Sequence, residues 1–297
     1  MASVMPHPPG QQIPDSAAKL LLNNRWMARL IAICGALLTL TLLARGDTIF
    51  TINTTTADAF LASGSPVNPI GTDLTSLNFG GAGTLAIAPA SSTKGDFDSV
   101  INFNTAAAIS QFNTTYGAGN WQITSLTLSL ASNFGVQGVQ PNNDIFNTIN
   151  AGRFGIDWLG YNSWVEGTGD GMGSPGYPSN SSVSFNSIPI LFSAGSASLG
   201  TYTYSPPGNN VYVSYSLPLV SNLVSDAAAG GDVSLYFFAA DNRVSYLFNS
   251  RSFSANHPEL TLTATAVPEP SALALVATAL GVLLIRFPIY QLLPEAS

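Results

Sequence analysis

The chain has 297 residues, of which 46% are hydrophobic and only 8% are charged, against about 25% charged residues in an ordinary soluble domain. Five basic and fifteen acidic side chains remain after Gly46, a net charge of −10 for that part of the chain. So acidic a body, without a basic stripe, repels nucleic-acid phosphates, and we expect no nucleic-acid partner.

The first segment, residues 1–46, has the three parts of a secretory signal. A basic stretch over 25–29 precedes an uncharged apolar run over 30–44, and the tripeptide Ala-Arg-Gly that ends at Gly46 has small residues at both cleavage positions. We therefore predict an N-terminal signal helix that is cleaved after Gly46; the alternative is an uncleaved anchor. Cleavage would also remove Cys34, the single cysteine, so that the mature chain would have no disulfide.

The body, residues 47–266, contains many short stretches in which apolar and polar side chains alternate. This period of two predicts strands, which we place at 48–52, 99–103, 121–131, 153–158, 211–217, 244–248 and 260–266. An almost continuous apolar run over 233–240 predicts a further strand that is buried on both faces. The sequence thus predicts an all-β fold, a jelly-roll-like β-sandwich in one domain. A division near 134–150, which is rich in Asn, Gly and Pro, is the alternative.

One short helix is predicted within this body. Pro218 is a favourable first residue of a helix, an apolar stripe follows as far as Ala227, and Gly230-Gly231 ends the pattern. A helix of this length would close one end of the sandwich.

The segment 157–170 combines acids with aromatic rings, contributed by Asp157, Trp158, Tyr161, Trp164, Glu166 and Asp170. Aromatic faces and hydrogen-bonding groups together are typical of ligand sites, so Trp158, Tyr161, Trp164, Glu166 and Asp170 are candidate glycan-binding residues. In the alternative interpretation, the two tryptophans belong to the core and the acids lie on turns.

Residues for other chemistry are scarce. His257 is the only histidine after the signal region, and no Gly-x-Ser-x-Gly motif accompanies it, so we predict no catalytic residue. The counts of His and Cys also exclude a zinc-type metal site. Asp96, Asp98 and Asp144 offer oxygen ligands suited to Ca²⁺, but alternating acids are common in loops without a metal, and we expect no cofactor.

The tripeptide Asp241-Asn242-Arg243 follows the most apolar strand. An Asp–Arg pair at a tight turn would satisfy backbone groups and fix the connection between two core strands. Three other segments accompany it: Trp164-Val-Glu-Gly-Thr-Gly169 and Val183-Ser-Phe185 before it, and Pro258-Glu-Leu-Thr-Leu262 after it. This ordered set resembles jelly-roll domains that carry a "DNR" motif near their last strands. Those domains are related to carbohydrate-binding modules of exported bacterial proteins. The resemblance covers about residues 95–266 and implies a binding or structural sandwich without an active site.

The C-terminal segment, residues 267–297, begins with Val267-Pro268-Glu269-Pro270-Ser271. The prolines hold the backbone extended and accessible. An apolar run over 272–285 and then Arg286 follow. This arrangement resembles the PEP-CTERM sorting signal, which implies a transmembrane helix at about 271–285 and recognition by a membrane exosortase. The family usually ends in a cluster of arginines, whereas this chain has Arg286 alone; a simple membrane anchor is the alternative.

These features together predict an exported, non-enzymatic PEP-CTERM protein of the cell surface or extracellular matrix. The C-terminal helix would hold it at the inner membrane until an exosortase acts, and extracellular polysaccharide is its expected partner if its role is not purely structural. One alternative is a secreted glycoside hydrolase or lyase that uses Asp157, Glu166 or Asp170. Another is a structural adhesin without affinity for glycans.

Overall fold

The computed structural model describes residues 46–65, 72–133, 146, 152–167, 182–203 and 210–267. The predicted signal segment before Gly46 and the predicted sorting tail from Pro268 onward lie outside these residues. Gly46–Val267 forms one compact unit. Within the described ranges, every helix falls short of the length and apolar character that crossing a bilayer requires.

Strands dominate the described residues, as predicted. They are β1 (Thr48–Ile52), β2 (Ala57–Ala62), β3 (Gly64–Ser65), β4 (Thr72–Asp73), β5 (Phe79–Gly80), β6 (Thr84–Ile87), β7 (Phe97–Asn104), β8 (Trp121–Ala131), β9 (Arg153–Leu159), β10 (Ser196–Thr203), β11 (Tyr212–Leu217), β12 (Asp232–Ala239), β13 (Tyr246–Asn249) and β14 (Glu259–Ala266). The helices are α1 (Ala106–Tyr116), α2 (Ile188–Leu191) and α3 (Ser221–Ala229), with a 3₁₀ turn at Phe185–Ser187.

Two antiparallel sheets form the layers of a sandwich. The first has four strands in the order β1-β14-β8-β11, and the second has six in the order β10-β9-β12-β7-β2-β5. Two smaller pairs, β6 with β13 and β3 with β4, accompany them. The prediction of an all-β sandwich is thereby confirmed.

The core lies between the inner faces of the two large sheets. Leu126, Leu128 and Leu130 of β8 are fully buried there, because successive side chains of a strand point to opposite sides of its sheet. The six-stranded sheet contributes Phe154, whose ring meets that of Tyr215 edge-on at 5.4 Å between centroids. Such aromatic pairs contribute about 0.5–1.5 kcal/mol beyond the burial of their area.

The predicted strands are present, and two of them, β1 and β8, have the predicted bounds. The apolar run over 233–240 becomes β12, which lies between β7 and β9 and is buried from Val233 to Phe237. Since β12 pairs with strands from both sides of segment 134–150, one sheet joins the residues before and after that segment.

The predicted helix corresponds to α3, which starts at Ser221, later than Pro218, because Val220 still has extended backbone angles. It ends at Gly230, whose φ of +74° lies in the left-handed region that glycine adopts without a Cβ clash.

The expectation of a single helix was wrong, because α1 is an eleven-residue helix that the sequence analysis missed. Its buried side chains, Ala108, Phe112 and Tyr116, are spaced four residues apart, but Ser, Thr and Asn around them weaken the helical signal. Thr114 and Thr115 accommodate the helix by bonding their hydroxyls to the carbonyls four residues earlier.

Helices α1 and α3 lie at the same end of the sandwich. Asn104 at the end of β7 is opposite Asp232 at the start of β12, and each helix is joined to one of these residues. The buried hydroxyl of Thr105 lies 2.9 Å from the carbonyl of Ala227 and 3.0 Å from that of Gly231, which connects the two helix ends.

Candidate functional site

The predicted aromatic patch divides between the two faces of the six-stranded sheet. Trp158 lies in β9 and points into the core between the sheets, where it is 6% exposed. Trp164 packs on the outer face with Ala59, Val100 and Tyr236, and is 9% exposed. Both rings are core residues, so they do not form one stacking surface for a sugar.

Internal hydrogen bonds also occupy both indole nitrogens. The Nε1 group of Trp158 donates to Asp226 of α3 at 3.0 Å, and that of Trp164 donates to the buried hydroxyl of Ser234 at 2.9 Å. Tyr161 is half-buried against the cluster that contains Trp164. Asp170 lies outside the described residues.

Glu166 belongs to a charged network, with its side chain 7% exposed. Its Oε2 accepts from Nε of Arg251 at 2.7 Å and also contacts Nη2, and its Oε1 accepts from the Gly81 amide at 3.1 Å. The Arg251 amide in turn donates to Oδ2 of Asp58 at 2.7 Å, where the Thr55 hydroxyl also donates. Arg251 therefore joins the segment between β13 and β14 to both Glu166 and Asp58 of β2, and both oxygens of Glu166 have hydrogen-bond partners.

Besides Glu166, the carboxyls of Asp58 and Asp98 are buried. Burial raises the pKa of Asp58 to about 6, and no described residue bonds to its Oδ1. Burial likewise raises the pKa of Asp98 to about 7. The hydrogen bond from the Tyr236 hydroxyl lowers this pKa, and the nearby negative charge of Asp96 raises it. Asp157, which is half-buried, also has a pKa raised by burial.

Asp241 organises the turn after β12. Its Oδ1 accepts from the Arg243 amide at 2.9 Å, and its Oδ2 accepts from the Arg153 amide at 3.0 Å, so that one carboxylate joins this turn to the start of β9. The guanidinium groups of Arg153 and Arg243 lie 3.8 and 4.0 Å from Oδ2 of Asp241, and both side chains are largely exposed. Asn242 is exposed in the same turn.

Asp96, Asp98 and Asp241, with Phe238, line an open groove of about 360 Å³. The tip of the Phe238 ring lies close to Gly155, where an added Cβ atom would be 2.2 Å from Cζ, so a larger residue there would displace this ring. Asp96 and Asp241 add negative charge to this groove, while the guanidinium groups of Arg153 and Arg243 lie beside Asp241. Among the described residues, no three His, Cys, Asp or Glu side chains are arranged to hold a metal ion; Asp144 lies outside those residues.

A larger cavity of about 610 Å³ lies where α1 and α3 meet the start of β8, and we call it the helix groove. Its apolar lining includes Ile109, Trp121, Leu219 and Val224, and its polar lining includes Asn113, Gln122 and Ser221. Among the described residues that line it, none carries a charge. Its volume is within the range of about 300–1,000 Å³ that is typical of small-molecule sites.

Trp121 is the main feature of the helix groove. Its Nε1 group donates to Oδ1 of Asn113 at 2.8 Å, and its ring packs against Phe112 with 5.3 Å between centroids. The half-buried indole is therefore held in one orientation while it contributes to the wall of an open cavity. Leu219, 42% exposed, lies in the same lining. An apolar ring beside amides and a hydroxyl suits a ligand with both CH faces and hydroxyl groups.

The sequence analysis did not find this groove. Trp121 was assigned to a strand, and the residues that surround it come from 109–113 and 219–228, which only folding brings together. The one available signal was a tryptophan directly after the turn Gly117–Asn120, at the start of an alternating strand.

Comparison with protein-family models and with curated proteins finds no match to this chain.

Proposed function

We propose that the chain is an exported, non-enzymatic protein of the bacterial cell surface or extracellular matrix, and that its jelly-roll-like body binds polysaccharide in the helix groove. The observation that carries the proposal is the groove itself, in which an oriented indole, exposed polar side chains and an uncharged lining meet in an open cavity. The resemblance of the segment around Asp241 to carbohydrate-binding sandwiches supports the same conclusion.

The ends of the body support export and processing. Thr48 of β1 is paired with Ala264 of β14, so the predicted cleavage point after Gly46 and the predicted sorting motif at Val267 flank two adjacent strands. The Tyr116 hydroxyl lies 2.7 Å from the Gly46 carbonyl and 3.0 Å from that of Ala264. Cleavage at both points would therefore leave the first and last strands fastened to the body.

The expected partners are the membrane, during sorting, and an exosortase that recognises Val267-Pro268-Glu269-Pro270-Ser271, with Arg286 after the apolar run. The geometry of Glu166 supports a body without catalysis, because both oxygens of this carboxyl are held by Arg251 and Gly81. Asp157 is the carboxyl to substitute in a test for turnover, since it is not part of that network.

Processing is tested by mass spectrometry of the protein recovered from the encoding bacterium after fractionation. We expect an extracellular form that begins at Asp47 and lacks the apolar tail. The double variant Pro268→Ala with Pro270→Ala should retain the tail, whereas the control Pro288→Ala should be processed normally. Intact protein in the cytosol, with both ends uncut, would contradict the proposal.

Binding is tested with purified mature protein on a panel of soluble polysaccharides. Leu219→Arg places a long charged side chain at an exposed position of the helix groove, so we expect it to lower affinity at least tenfold without unfolding the body. The same panel is assayed for turnover. Cleavage of any member by the wild type that disappears in Asp157→Asn would favour an enzyme instead.

A further inference from the structure

The outer face of the four-stranded sheet carries rows of hydroxyl groups. Thr51 of β1 lies opposite Thr261 of β14, which lies opposite Thr127 of β8. Thr127 in turn lies opposite Ser216 of β11, so one row crosses all four strands. A parallel row pairs Ser125 of β8 with Thr263 of β14 and ends at Ile49 of β1, whose apolar side chain is 62% exposed. We define the hydroxyl face by Thr51, Ser125, Thr127, Ser216, Thr261 and Thr263.

The hydroxyl face is open. Its members are exposed or half-buried, while the side chains between them, such as Leu126 and Leu262, are fully buried in the core. Neighbouring hydroxyls are close enough to bond to each other, as between Thr51 and Thr261 at 2.9 Å. Strand geometry places neighbours about 4.8 Å apart across the sheet and about 6.8 Å apart along a strand.

The outer face shares the low charge of the whole chain, in which 8% of the residues are charged. The solvent side of an antiparallel sheet is polar, but surfaces ordinarily carry about 25–35% charged side chains, and exposed sheet edges are protected by lysine or proline. Here Glu259 is the one charged residue in the described strands of this sheet, and its Oε1 accepts from the Tyr212 hydroxyl at 3.0 Å.

The hydroxyl face is continuous with the helix groove. Gln122 is exposed, lies opposite Thr265 on the same side of the sheet, and also lines the groove. Along β8, the outward positions then continue from Gln122 to Ser125 and Thr127. A ligand chain that begins in the groove therefore has a hydrogen-bonding path along the strand.

We infer that the hydroxyl face extends the helix groove, and that the ligand is a long uncharged polysaccharide lying along β8 and β14. This inference rests on the proposed function and specifies its ligand. Each threonine or serine hydroxyl donates one hydrogen bond and accepts two, so it matches the hydroxyl groups of such a polymer. Charge selects the same partner: an anionic chain is repelled by the acidic body, and the six residues that define the hydroxyl face have no charge with which to bind a cationic chain.

The test of length compares glucose oligosaccharides, the short probe, with dextran, the long one. The test of charge adds alginate as an anionic polymer and chitosan as a cationic polymer. If the face extends the groove, dextran binds the mature protein at least tenfold more tightly than the oligosaccharides bind. The double variant Thr127→Val with Thr261→Val should lose that gain and keep the affinity for oligosaccharides. Valine preserves the branched shape that strands favour, so the sheet remains intact.

The matched control is Thr201→Val, at an exposed position of β10 in the other sheet, which should bind dextran as the wild type does. If the double variant also binds dextran as the wild type does, while Leu219→Arg abolishes binding, the inference about the face is wrong and the proposed function stands. If the wild type prefers alginate or chitosan, the inference is likewise wrong. If the wild type binds none of these polymers, both the inference and the proposed function fail.

Discussion

The outer faces of the two sheets follow the same alternation but have opposite chemistry. On the six-stranded sheet, Val100 and Tyr236 point outward and are covered by Trp164, Val183 and Leu191. On the four-stranded sheet, the outward residues are mostly threonines and serines, together with Ile49, whose side chain is 62% exposed. The first face therefore contributes to the core, whereas the described part of the second is largely polar and partly exposed to solvent.

This contrast also separates the acids of the molecule. The buried carboxyls Asp58, Asp98 and Glu166 all belong to the six-stranded sheet or to residues that contact it. In the described strands of the four-stranded sheet, the one acidic residue is Glu259, which lies beside the hydroxyl face. Substitutions on the covered face should thus change stability, and substitutions on the open face should change binding.

The largest effect is expected for Trp164→Ala. It leaves a cavity over the six-stranded sheet and removes the bond to the Ser234 hydroxyl, so the free energy of unfolding should fall by about 3–5 kcal/mol. Urea denaturation followed by circular dichroism measures it. An unchanged midpoint would show that this face is not covered in solution.

The next effect is a dependence of stability on pH. Burial raises the pKa of Asp58 from 3.8 to about 6, so the unfolded chain releases this proton at lower pH than the folded protein. The stability from Asp58 is fully present below about pH 4 and is lost as the pH rises through 6, a change of about 3 kcal/mol. Asp98 extends the same trend to about pH 7.

Thermal melting of wild type and Asp58→Asn across this range checks the prediction. The variant should lose the part of the slope between about pH 4 and 6, and the exposed control Asp47→Asn should keep it. The same dependence of stability on pH in the wild type and in Asp58→Asn would refute the raised pKa of Asp58.

Arg251→Met should have a smaller effect. It leaves the buried Glu166 carboxylate without its cation; since the Arg251 side chain is 41% exposed, water screens the pair, and we expect a loss of about 2 kcal/mol. The control is Arg243→Met, whose pair with Asp241 is 4.0 Å long and whose side chain is 72% exposed; it should cost less than about 0.5 kcal/mol. A double-mutant cycle with Glu166→Gln isolates the coupling energy, and zero coupling would contradict the network.

The smallest change in stability is expected on the hydroxyl face. Thr127→Val keeps a β-branched side chain at a half-buried position of the outer surface, so the free energy of unfolding should change by less than about 0.5 kcal/mol. A loss several times larger, measured by urea denaturation, would show that this face is packed rather than open.

The alternation of apolar and polar side chains predicted most strands. It did not predict where the segments between the strands lie on the sheets. Strands β1 and β8 followed from their own residues, because burial on one face imposes the period of two. Trp158 and Trp164 are six residues apart, a spacing that would put them on one face of a continuous strand. The chain leaves β9 after Leu159, however, and Trp164 returns over the outer face.

The candidate site was less predictable for a related reason. The lining of the helix groove combines α1, which the sequence analysis missed, with α3 and the start of β8. The hydroxyl face depends on register: Thr51, Thr127 and Thr261 become neighbours only through the pairing of β1, β14 and β8. Neither pairing nor order of strands can be read from a single alternating segment.

The central claim, that the open face binds a neutral polysaccharide, is tested most directly by methyl NMR of the mature protein with labelled threonine. On titration with dextran, the account predicts chemical-shift changes at Thr51, Thr127, Thr261 and Thr263, and none at Thr201 or Thr203 of β10. Changes confined to β10, or no change at any threonine at saturating dextran, would contradict it.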